Sequence, residues 1–304
     1  MAMTEAVVRR GRRTVRLTHL DRVWWPDDGV RKGDVVRYYR AVAPALLPHL
    51  RNRPFTIKRH YTGPRSPFAW VKDAPPELPA WIPVAPLPAR SRGGALVRYP
   101  LVNDELALLA VVEYGAVDLH VWTSRADRPD RADVVLFDLD PAGVPFAYVA
   151  RAAVLLRDAL HALGLASIAM TTGGDGMHVR VPIARRHSYD EVRAFADVVA
   201  GALARTAPDL VTTERSLDRR KGVYVDTKMN GHGQQIVAPY SVRPLQGAPV
   251  ATPLRWDEVG ESLEPRAFSL QRVAARVGRE GELFRAALRG GQRLGAALAH
   301  LESR

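Results

Sequence analysis

The stretch that decides the fold is Asp133-Val134-Val135-Leu136-Phe137-Asp138-Leu139-Asp140-Pro141. Its apolar run is typical of a strand buried on both faces, and it delivers two carboxyl groups at its end. Side chains two residues apart in a strand point to the same face, so Asp138 and Asp140 are expected to project together. Two carboxylates that close repel each other unless one is protonated or a cation lies between them. Oxygen ligands of this kind suit Mg²⁺ or Mn²⁺.

A third carboxyl group follows another apolar strand, because Asp226 comes directly after Val223-Tyr224-Val225. A ligand on an adjacent strand would let two cations be held together, as in two-metal nucleotidyl transfer. The alternative is that Asp138 and Asp140 are two solvated acids in a turn before Pro141, and that Asp226 is unrelated to them.

A glycine-rich loop, Thr172-Gly173-Gly174-Asp175-Gly176, lies between two predicted strands. Its glycines let the backbone approach a ligand closely and offer N–H groups to a phosphate. The residues after it alternate, so His178 and Arg180 share one face of a strand. The loop lacks the Gly-Lys-Ser/Thr of a P-loop and precedes a strand, which excludes that motif and the dinucleotide fingerprint. The alternative is a simple hairpin turn.

Basic residues dominate the chain, with 44 Lys and Arg against 32 Asp and Glu, a formal net charge of +12. Such a surplus favours polyanionic partners, either nucleic acid or an anionic membrane. Arg219-Arg220-Lys221 precedes the Asp226 strand, and Arg243 follows Tyr240-Ser241. Arginine binds phosphate through two parallel hydrogen bonds, although a run of charge is also compatible with a solvated face.

The rest of the pattern mixes helices and strands. Predicted helices cover residues 32–50, about 145–163, 188–205 and the chain beyond Arg266, and predicted strands cover residues 55–59, 133–137, 167–170, 177–181, 223–225 and 235–238. Nine prolines between Pro64 and Pro100 predict loops and isolated edge strands. This mixture predicts α+β, or mixed α/β, with the helices packed against a sheet. Of the two we expect α+β, with mixed or antiparallel sheets flanked by helices.

Several classes of protein are excluded by composition. The chain has no cysteine, which excludes disulfides, thiolate metal sites and cysteine nucleophiles. It has no readable signal peptide and no run of 18 uncharged apolar residues. We therefore expect a cytoplasmic protein that binds no membrane.

Taken in order, these segments resemble the polymerase domain of bacterial ligase D and its stand-alone relatives, in the archaeo-eukaryotic primase superfamily. The resemblance runs from about Leu17 to Val259. It is carried by residues 17–26, 29–32, 38–39, 47–49 and 53–54, by Phe137-Asp138-Leu139-Asp140-Pro141, by the glycine loop through His178, and by residues 225–226, 238–244, 248–254 and 256–258.

The resemblance implies a primase-polymerase-like core and a template-dependent nucleotidyltransferase, with ribonucleotides preferred, that extends primers at short gaps or breaks. It implies two Mn²⁺ or Mg²⁺ ions on Asp138, Asp140 and Asp226. It also implies a nucleotide-binding set and a DNA-binding set. The first is His120, Thr172, Gly173, His178, Arg219 or Arg220, Arg243 and Lys58, and the second is Arg22, Lys32 and Trp70, with Arg22 and Lys32 on a 5′-phosphate.

The implied partners are gapped or broken DNA with a 5′-phosphate, an NTP or dNTP, a separate DNA ligase and, as a candidate, Ku. We expect one catalytic domain over residues 1–304, with an N-terminal part to about 115, a core at about 116–260 and C-terminal helices at about 261–304. No ligase or phosphoesterase domain fits into the remaining chain.

Two departures from the family pattern keep alternatives open. Asp175 stands where the family's loop carries a lysine, and Met229 where a glutamine is common. One alternative is a catalytically weakened module that binds gapped DNA. Another is an aspartate-based phosphatase with Asp138 as nucleophile and Asp140 as acid–base, although Ala142 stands where that motif carries Thr or Val.

Overall fold

The computed structural model describes residues 4–89, 93–288, 291–295 and 297. The strands are β1 (Ala6–Arg10), β2 (Arg13–Leu17), β3 (Val23–Trp25), β4 (Val30–Arg31), β5 (Phe55–His60), β6 (Phe68–Val71), β7 (Val84–Pro88), β8 (Leu96–Pro100), β9 (Ala116–Val121), β10 (Ser124–Arg125), β11 (Arg128–Ala132), β12 (Val134–Ala142), β13 (Ile168–Thr171), β14 (Met177–Pro182), β15 (Val211–Thr212), β16 (Gly222–Asp226), β17 (Ile236–Val237) and β18 (Pro253–Leu254). The α-helices are α1 (Lys32–Leu50), α2 (Glu105–Glu113), α3 (Phe146–Ala162), α4 (Tyr189–Thr206), α5 (Leu270–Glu280) and α6 (Arg285–Leu288). None of the helices in these ranges is long and apolar enough to cross a membrane.

The described residues form two compact units. Unit 1 is drawn from Met1–Asp127, Gln235–Ala251 and Arg266–Glu282, and unit 2 from Arg128–Gln234, Thr252–Pro265 and Leu283–Arg304. A single domain over residues 1–304 remains a prediction, and the units divide the chain at other places than residues 115 and 260. One reason is that β17 returns to pair with β9 in unit 1.

Unit 2 contains a six-stranded sheet in the order β15-β16-β12-β14-β13-β18. Only the β15–β16 pair in this sheet is parallel. Helices α3 and α4 pack against β12 and against each other. The mixture of a largely antiparallel sheet with flanking helices confirms the predicted α+β class.

The two faces of this sheet differ in chemistry, because side chains alternate along each strand. One face carries apolar side chains that are almost fully buried: Val135, Phe137, Leu139, Val179, Val181, Val223 and Val225. The opposite face carries the charged positions of β12, β14 and β16. The predicted separation of Val179 and Val181 from His178 and Arg180 is thus confirmed.

Strand β12 is longer than its apolar run predicts. It continues through both aspartates to Ala142 instead of ending at Phe137. The extension follows from its neighbours, since β14 pairs with it as far as Leu139 and β16 pairs with it from Asp138 to Ala142. The predicted strand is therefore too short at this end, whereas the predicted sharing of one face by Asp138 and Asp140 is confirmed, within a bonded ladder. Asp226 likewise closes β16 and does not follow it.

Unit 1 contains a four-stranded sheet in the order β17-β9-β5-β6, with the hairpins β1–β2, β3–β4 and β7–β8. Helix α1 packs against α2 and α5, and the core includes the fully buried rings of Trp25, Tyr39 and Phe55. The proline-rich region forms β6, β7 and β8, and Pro86 and Pro88 lie on β7, whose described ladder is with β8 alone. This agrees with the confinement of proline to edge strands.

The C-terminal prediction is only partly confirmed. Helices α5 and α6 lie beyond Arg266, but residues 281–284 and 291–294 are not helical. The end of the predicted helical region, residues 298–304, lies outside the described residues.

Candidate active site

Three carboxyl groups meet on the charged face of the unit 2 sheet. Asp138 of β12 pairs directly with Asp226 of β16 in an antiparallel register, and Asp140 is two residues further along β12. Directly opposed residues have their Cβ atoms about 5 Å apart and on one face. The predicted convergence of Asp226 with the other two acids is present in the structure.

The three carboxyl groups repel one another electrostatically. Burial, together with the charges of Asp138 and Asp226, raises the pKa of Asp140 to about 7 against the opposing charge of Arg220. Among the described residues, the buried Asp138 Oδ1 atom has no hydrogen-bond partner, although His178 Nε2 lies 3.4 Å from it. Asp226 Oδ1 accepts a hydrogen bond from the backbone N–H of Lys228 at 2.7 Å. The three carboxyl groups are therefore close enough for the charges of Asp138 and Asp226 to oppose ionisation of Asp140.

The donor set fits a hard divalent cation that keeps part of its own coordination shell. Within the described residues, no group of three or more His, Asp or Glu side chains is arranged to hold a metal ion by itself. Mg²⁺ is usually bound through one or two carboxylates together with waters and substrate phosphates, and not by an all-protein cage. The unpartnered Asp138 oxygen and the carboxylate repulsion are what such an ion would relieve.

The glycine loop lies against β12 beside these acids. A Cβ atom at Gly176 would stand 2.7 Å from the backbone O of Leu139 and 3.2 Å from Asp140 Oδ1, so this approach requires glycine. The Thr172 hydroxyl donates to Gly176 O at 3.1 Å and accepts from the N–H of Gly174 at 3.2 Å. Gly173 adopts a φ of 72°, in the left-handed region that favours glycine. The loop is thus closed by its own threonine and positioned next to Asp140.

His178 and Arg180 extend the charged face along β14. His178 pairs with Asp138, and Arg180 pairs with Leu136, whose side chain lies on the same face as Asp138. Both side chains are buried. An imidazole and a guanidinium therefore lie beside the carboxyl cluster in unit 2.

Arg220, and not Arg219, is the arginine that faces the acids. The Arg220 guanidinium lies 3.6 Å from the ring centroid of Tyr224, which pairs with Asp140. Its charge opposes the rise in the pKa of Asp140. Arg219 instead pairs with Glu214 at 3.3 Å, with 72% of its side chain exposed.

The remaining predicted nucleotide-binding residues lie in unit 1, around a β-bulge. Ile57 pairs with Leu119 and Arg59 with Ala116, so two residues of β9 stand opposite Lys58. One of them is the buried Asp118, whose Oδ2 lies 3.2 Å from Lys58 Nζ and 2.9 Å from His120 Nε2. The bulge therefore brings Lys58 and His120 to one carboxylate.

The electrostatics of this network have defined causes. Burial raises the pKa of Asp118, but hydrogen bonds to His120 and His60 and the charge of Lys58 hold it well below its usual range. Burial lowers the pKa of His120, as do the charges of Arg243 and Lys58, against the hydrogen bond that His120 donates to Asp118 and the negative charge of Asp118. His120 is consequently neutral near pH 7, and Arg243 is close enough to influence it.

Aromatic rings adjoin the same network. Trp70 of β6 is 47% exposed, and its ring meets that of His120 edge-on at 5.0 Å between centroids. Lys58 Nζ lies 4.4 Å from the Phe68 ring centroid and 5.9 Å from that of Trp70. An exposed indole beside a lysine and a histidine is a surface on which a base can stack.

Arg22 and Lys32 line one cavity of about 400 Å³ in unit 1. Arg16 and Arg59 also line it. Lys32 is buried and pairs with Glu113 at 2.7 Å. Its backbone N–H donates to Arg22 O at 2.9 Å, which fixes the two residues together. The cavity is basic and large enough for a phosphate group.

Sequence reasoning missed three residues that organise these sites. Asp118 and His60 had a signal, because they alternate with His120 and Lys58 on adjacent strands. Asn230 had none: its Nδ2 donates to Leu136 O at 2.7 Å and its Oδ1 accepts from Leu136 N at 2.8 Å. This side chain therefore fixes the backbone of β12 two residues before Asp138.

Comparison with known proteins identifies the family. Residues 31–284 match the family described as "LigD, primase-polymerase domain". The chain is 32% identical over 280 residues to the "Multifunctional non-homologous end joining DNA repair protein LigD" of Mycobacterium tuberculosis, covering 89% of this chain and 36% of that protein. It is 30% identical over 272 residues to the "Bifunctional non-homologous end joining protein LigD" of Bacillus subtilis, covering 88% and 43% respectively. The chain thus spans less than half the length of these curated relatives.

A solved structure agrees with these matches. The "Polymerase Domain from Mycobacterium tuberculosis Ligase D in complex with DNA" superposes with a TM-score of 0.84 at 30% identity, covering 91% of this chain and 99% of that one. The LigD domain is a DNA-directed nucleotidyltransferase. An aspartate phosphatase loses its support, because Asp138 lies inside an antiparallel ladder of that polymerase fold. The chain belongs to the LigD primase-polymerase domain family.

Proposed function

We propose that this chain extends primer ends at short gaps or breaks in DNA, directed by a template strand, during end joining or gap filling. The observation that carries the proposal is the meeting of Asp138, Asp140 and Asp226 on one face of the unit 2 sheet. A polymerase needs such a carboxylate cluster because it must hold divalent cations against a triphosphate.

In this proposal, Asp138, Asp140 and Asp226 hold two Mg²⁺ or Mn²⁺ ions. When bound, these ions supply activation of the primer 3′-OH and neutralisation of charge on the leaving pyrophosphate. The raised pKa of Asp140 supports the assignment, since a nearby cation favours the ionised form of a carboxyl group.

The chain's own residues would orient the nucleotide. In unit 2, the loop at Thr172 and Gly173 would offer N–H groups to phosphate oxygens. His178 would offer a ring nitrogen, and Arg220 would add positive charge beside the acids. In unit 1, Lys58, His120 and Arg243 would contact the nucleotide, and Trp70 would stack on a base. Asp118 would act as a positioning residue, since it holds Lys58 and His120 in place.

The DNA substrate would carry a 5′-phosphate across the gap, held in the unit 1 cavity by Arg22 and Lys32. We further propose a preference for ribonucleotides, sealing of the product by a separate DNA ligase, a connection to Ku, and association with the nucleoid. The names of the LigD relatives, which include end joining, support this role.

The experiment uses the purified chain, a gapped duplex with a labelled primer, Mn²⁺ or Mg²⁺, and each NTP or dNTP in turn. We expect template-directed extension, with higher kcat/KM for NTPs, that Asp138→Asn and Asp226→Asn abolish. Asp158→Asn is the matched control, since this acid on α3 is exposed and pairs with its neighbour Arg157. Tight DNA binding by the wild type without extension would instead indicate the catalytically weakened module.

A further inference from the structure

Four arginines gather at one end of the unit 2 sheet, outside the residues discussed so far. Arg128 and Arg131 of β11 and Arg185 and Arg186 after β14 line an open cavity of about 570 Å³, together with Asp130. Arg131 forms a bridge with the backbone of Ser188, and its guanidinium donates to Arg186 O at 3.1 Å. These contacts join β11 to the loop that precedes α4, so the arginines form one surface, which we call the arginine cluster.

Part of the positive charge of the arginine cluster is exposed to solvent. Asp130 lies 3.2 Å from Arg131, and Glu191 is close enough for the charge of Arg131 to contribute to lowering its pKa. Arg128 and Arg186 are exposed, and neither pairs with a carboxylate in the described part of the chain. The N-terminus of α4 is already capped by Ser188 and Glu191, so any anion would be bound by the arginines themselves.

The chemistry of the cluster matches a chain of phosphates. A guanidinium binds phosphate through two parallel hydrogen bonds and is weakly hydrated, so it gives up water at small cost. Several arginines around a shallow opening can contact successive phosphates, whereas a small free anion is usually held in a concave, enclosed pocket.

The cluster lies near the Val134 end of β12, where that strand pairs with Pro182, and Asp138 is four residues further along. At about 3.4 Å per residue this separation is about 14 Å, or about four base pairs of duplex. We propose that the arginine cluster is a second contact surface for the sugar-phosphate backbone of DNA, beyond the nucleotide and 5′-phosphate sites. The proposal rests on the proposed function only in taking DNA as the substrate.

The test measures the salt dependence of DNA binding without nucleotide or metal, so it does not require polymerase activity. A labelled gapped duplex is titrated with the wild type and with the double variant Arg128→Gln/Arg186→Gln, and fluorescence anisotropy is followed between about 50 and 300 mM KCl. Neither guanidinium has an ion-pair partner within the ranges that the structure describes, so the variant should keep its fold, which circular dichroism checks. We expect the slope of log K against log salt to become shallower by about 2, because each lost duplex phosphate contact removes about 0.9.

The matched control is Arg151→Gln/Arg205→Gln, which removes the same charge from exposed positions on α3 and α4 of the same unit. The control should keep the wild-type slope. Equal slopes for all three proteins would overturn the proposal, and so would an equal loss in both double variants, which would indicate net charge alone. A shallower slope in the cluster variant supports the proposal even if the chain fails to extend a primer, so the two failures are distinguishable.

Discussion

At the scale of single residues, the candidate sites contain two carboxyl groups whose pKa values are shifted in opposite directions. Asp140 has its pKa raised to about 7 by burial and by the neighbouring carboxylates. Asp118 lies at the other extreme, with its pKa held low by His120, His60 and Lys58 despite burial. Asp140 therefore lies among like charges that oppose its ionisation, and Asp118 lies among groups that favour its ionised form.

Asp140→Asn should change how stability depends on pH when the protein is free of metal. The folded pKa of this carboxyl is above its unfolded value, so the unfolded state binds fewer protons between about pH 4 and pH 7. Stability of the wild type should therefore fall as pH rises through this window, and the variant should lack that fall. Thermal unfolding in chelator from pH 4 to pH 8 measures the difference. Parallel curves for the two proteins would contradict the assignment.

Asp118→Asn should be strongly destabilising. The substitution leaves Lys58 without its buried counter-charge, and breaking a buried pair costs about 3–5 kcal/mol. Urea unfolding measures this loss. The lysine is then also expected to move, which should raise the KM for the nucleotide more than it lowers kcat. The control is Asp73→Asn, whose exposed pair with Arg98 should be worth less than about 1 kcal/mol. A change of similar size in both variants would contradict the role given to Asp118.

At the scale of elements, main-chain geometry places two of the functional groups of residues. The glycine loop reaches β12 because Gly176 has no Cβ to meet Leu139 O. The unit 1 network depends on a register shift in β9, which brings Asp118 opposite Lys58. Both features place functional groups through main-chain geometry.

Gly176→Ala should push the glycine loop away from β12. The added Cβ would meet a backbone oxygen at 2.7 Å, and such overpacking costs about 1–3 kcal/mol. Nucleotide affinity should fall in parallel, which a titration with a non-hydrolysable nucleotide measures. Gly260→Ala is the control, because nothing lies within 4 Å of its Cβ position. If Gly176→Ala keeps wild-type stability and affinity, the loop does not need this close approach.

The elements also show how far sequence reasoning reaches. Helices α3 and α4 and strands β13, β14 and β16 were predictable to within one or two residues, because apolar periodicity and caps are local signals. The full length of β12 was not predictable, since its last residues are held by β16, about 80 residues away along the chain. The bulge at Asp118 and the hydrogen bonds of Asn230 likewise depend on partners that local sequence does not name. The three aspartates were predictable because Asp138 and Asp226 directly follow apolar runs and Asp140 is two residues beyond Asp138.

At the scale of the whole molecule, the formal net charge is +12, and basic side chains line a cavity in each of the two units. Unit 1 concentrates arginine and lysine in one cavity, and unit 2 carries the arginine cluster and the cations beside the carboxylates. The family match and the charge together support DNA as the common ligand of these surfaces.

Arg22→Ala should remove the preference for a gap that carries a 5′-phosphate. The wild type should bind the phosphorylated gap about ten- to a hundredfold more tightly, since a hydrogen bond to a charged group is worth about 1.5–3 kcal/mol. Anisotropy titrations with phosphorylated and dephosphorylated gaps measure the ratio. Arg9→Ala is the control, being an exposed arginine of β1 that does not line the cavity. Equal affinity of the wild type for both gaps would exclude this cavity as the phosphate site.

The position of Asp138 inside a ladder bonded on both sides has one more consequence. The backbone of Asp138 cannot move by a hinge motion, because such a motion would break the pairing of β12 with both β14 and β16. The amide protons of central β12 should accordingly exchange with deuterium more slowly than those of the glycine loop, and nucleotide should slow the loop alone. Loop segments around β12, and not β12 itself, must then move to admit the substrate. Substitutions that destabilise the pairing of β12 should abolish turnover before they change substrate affinity.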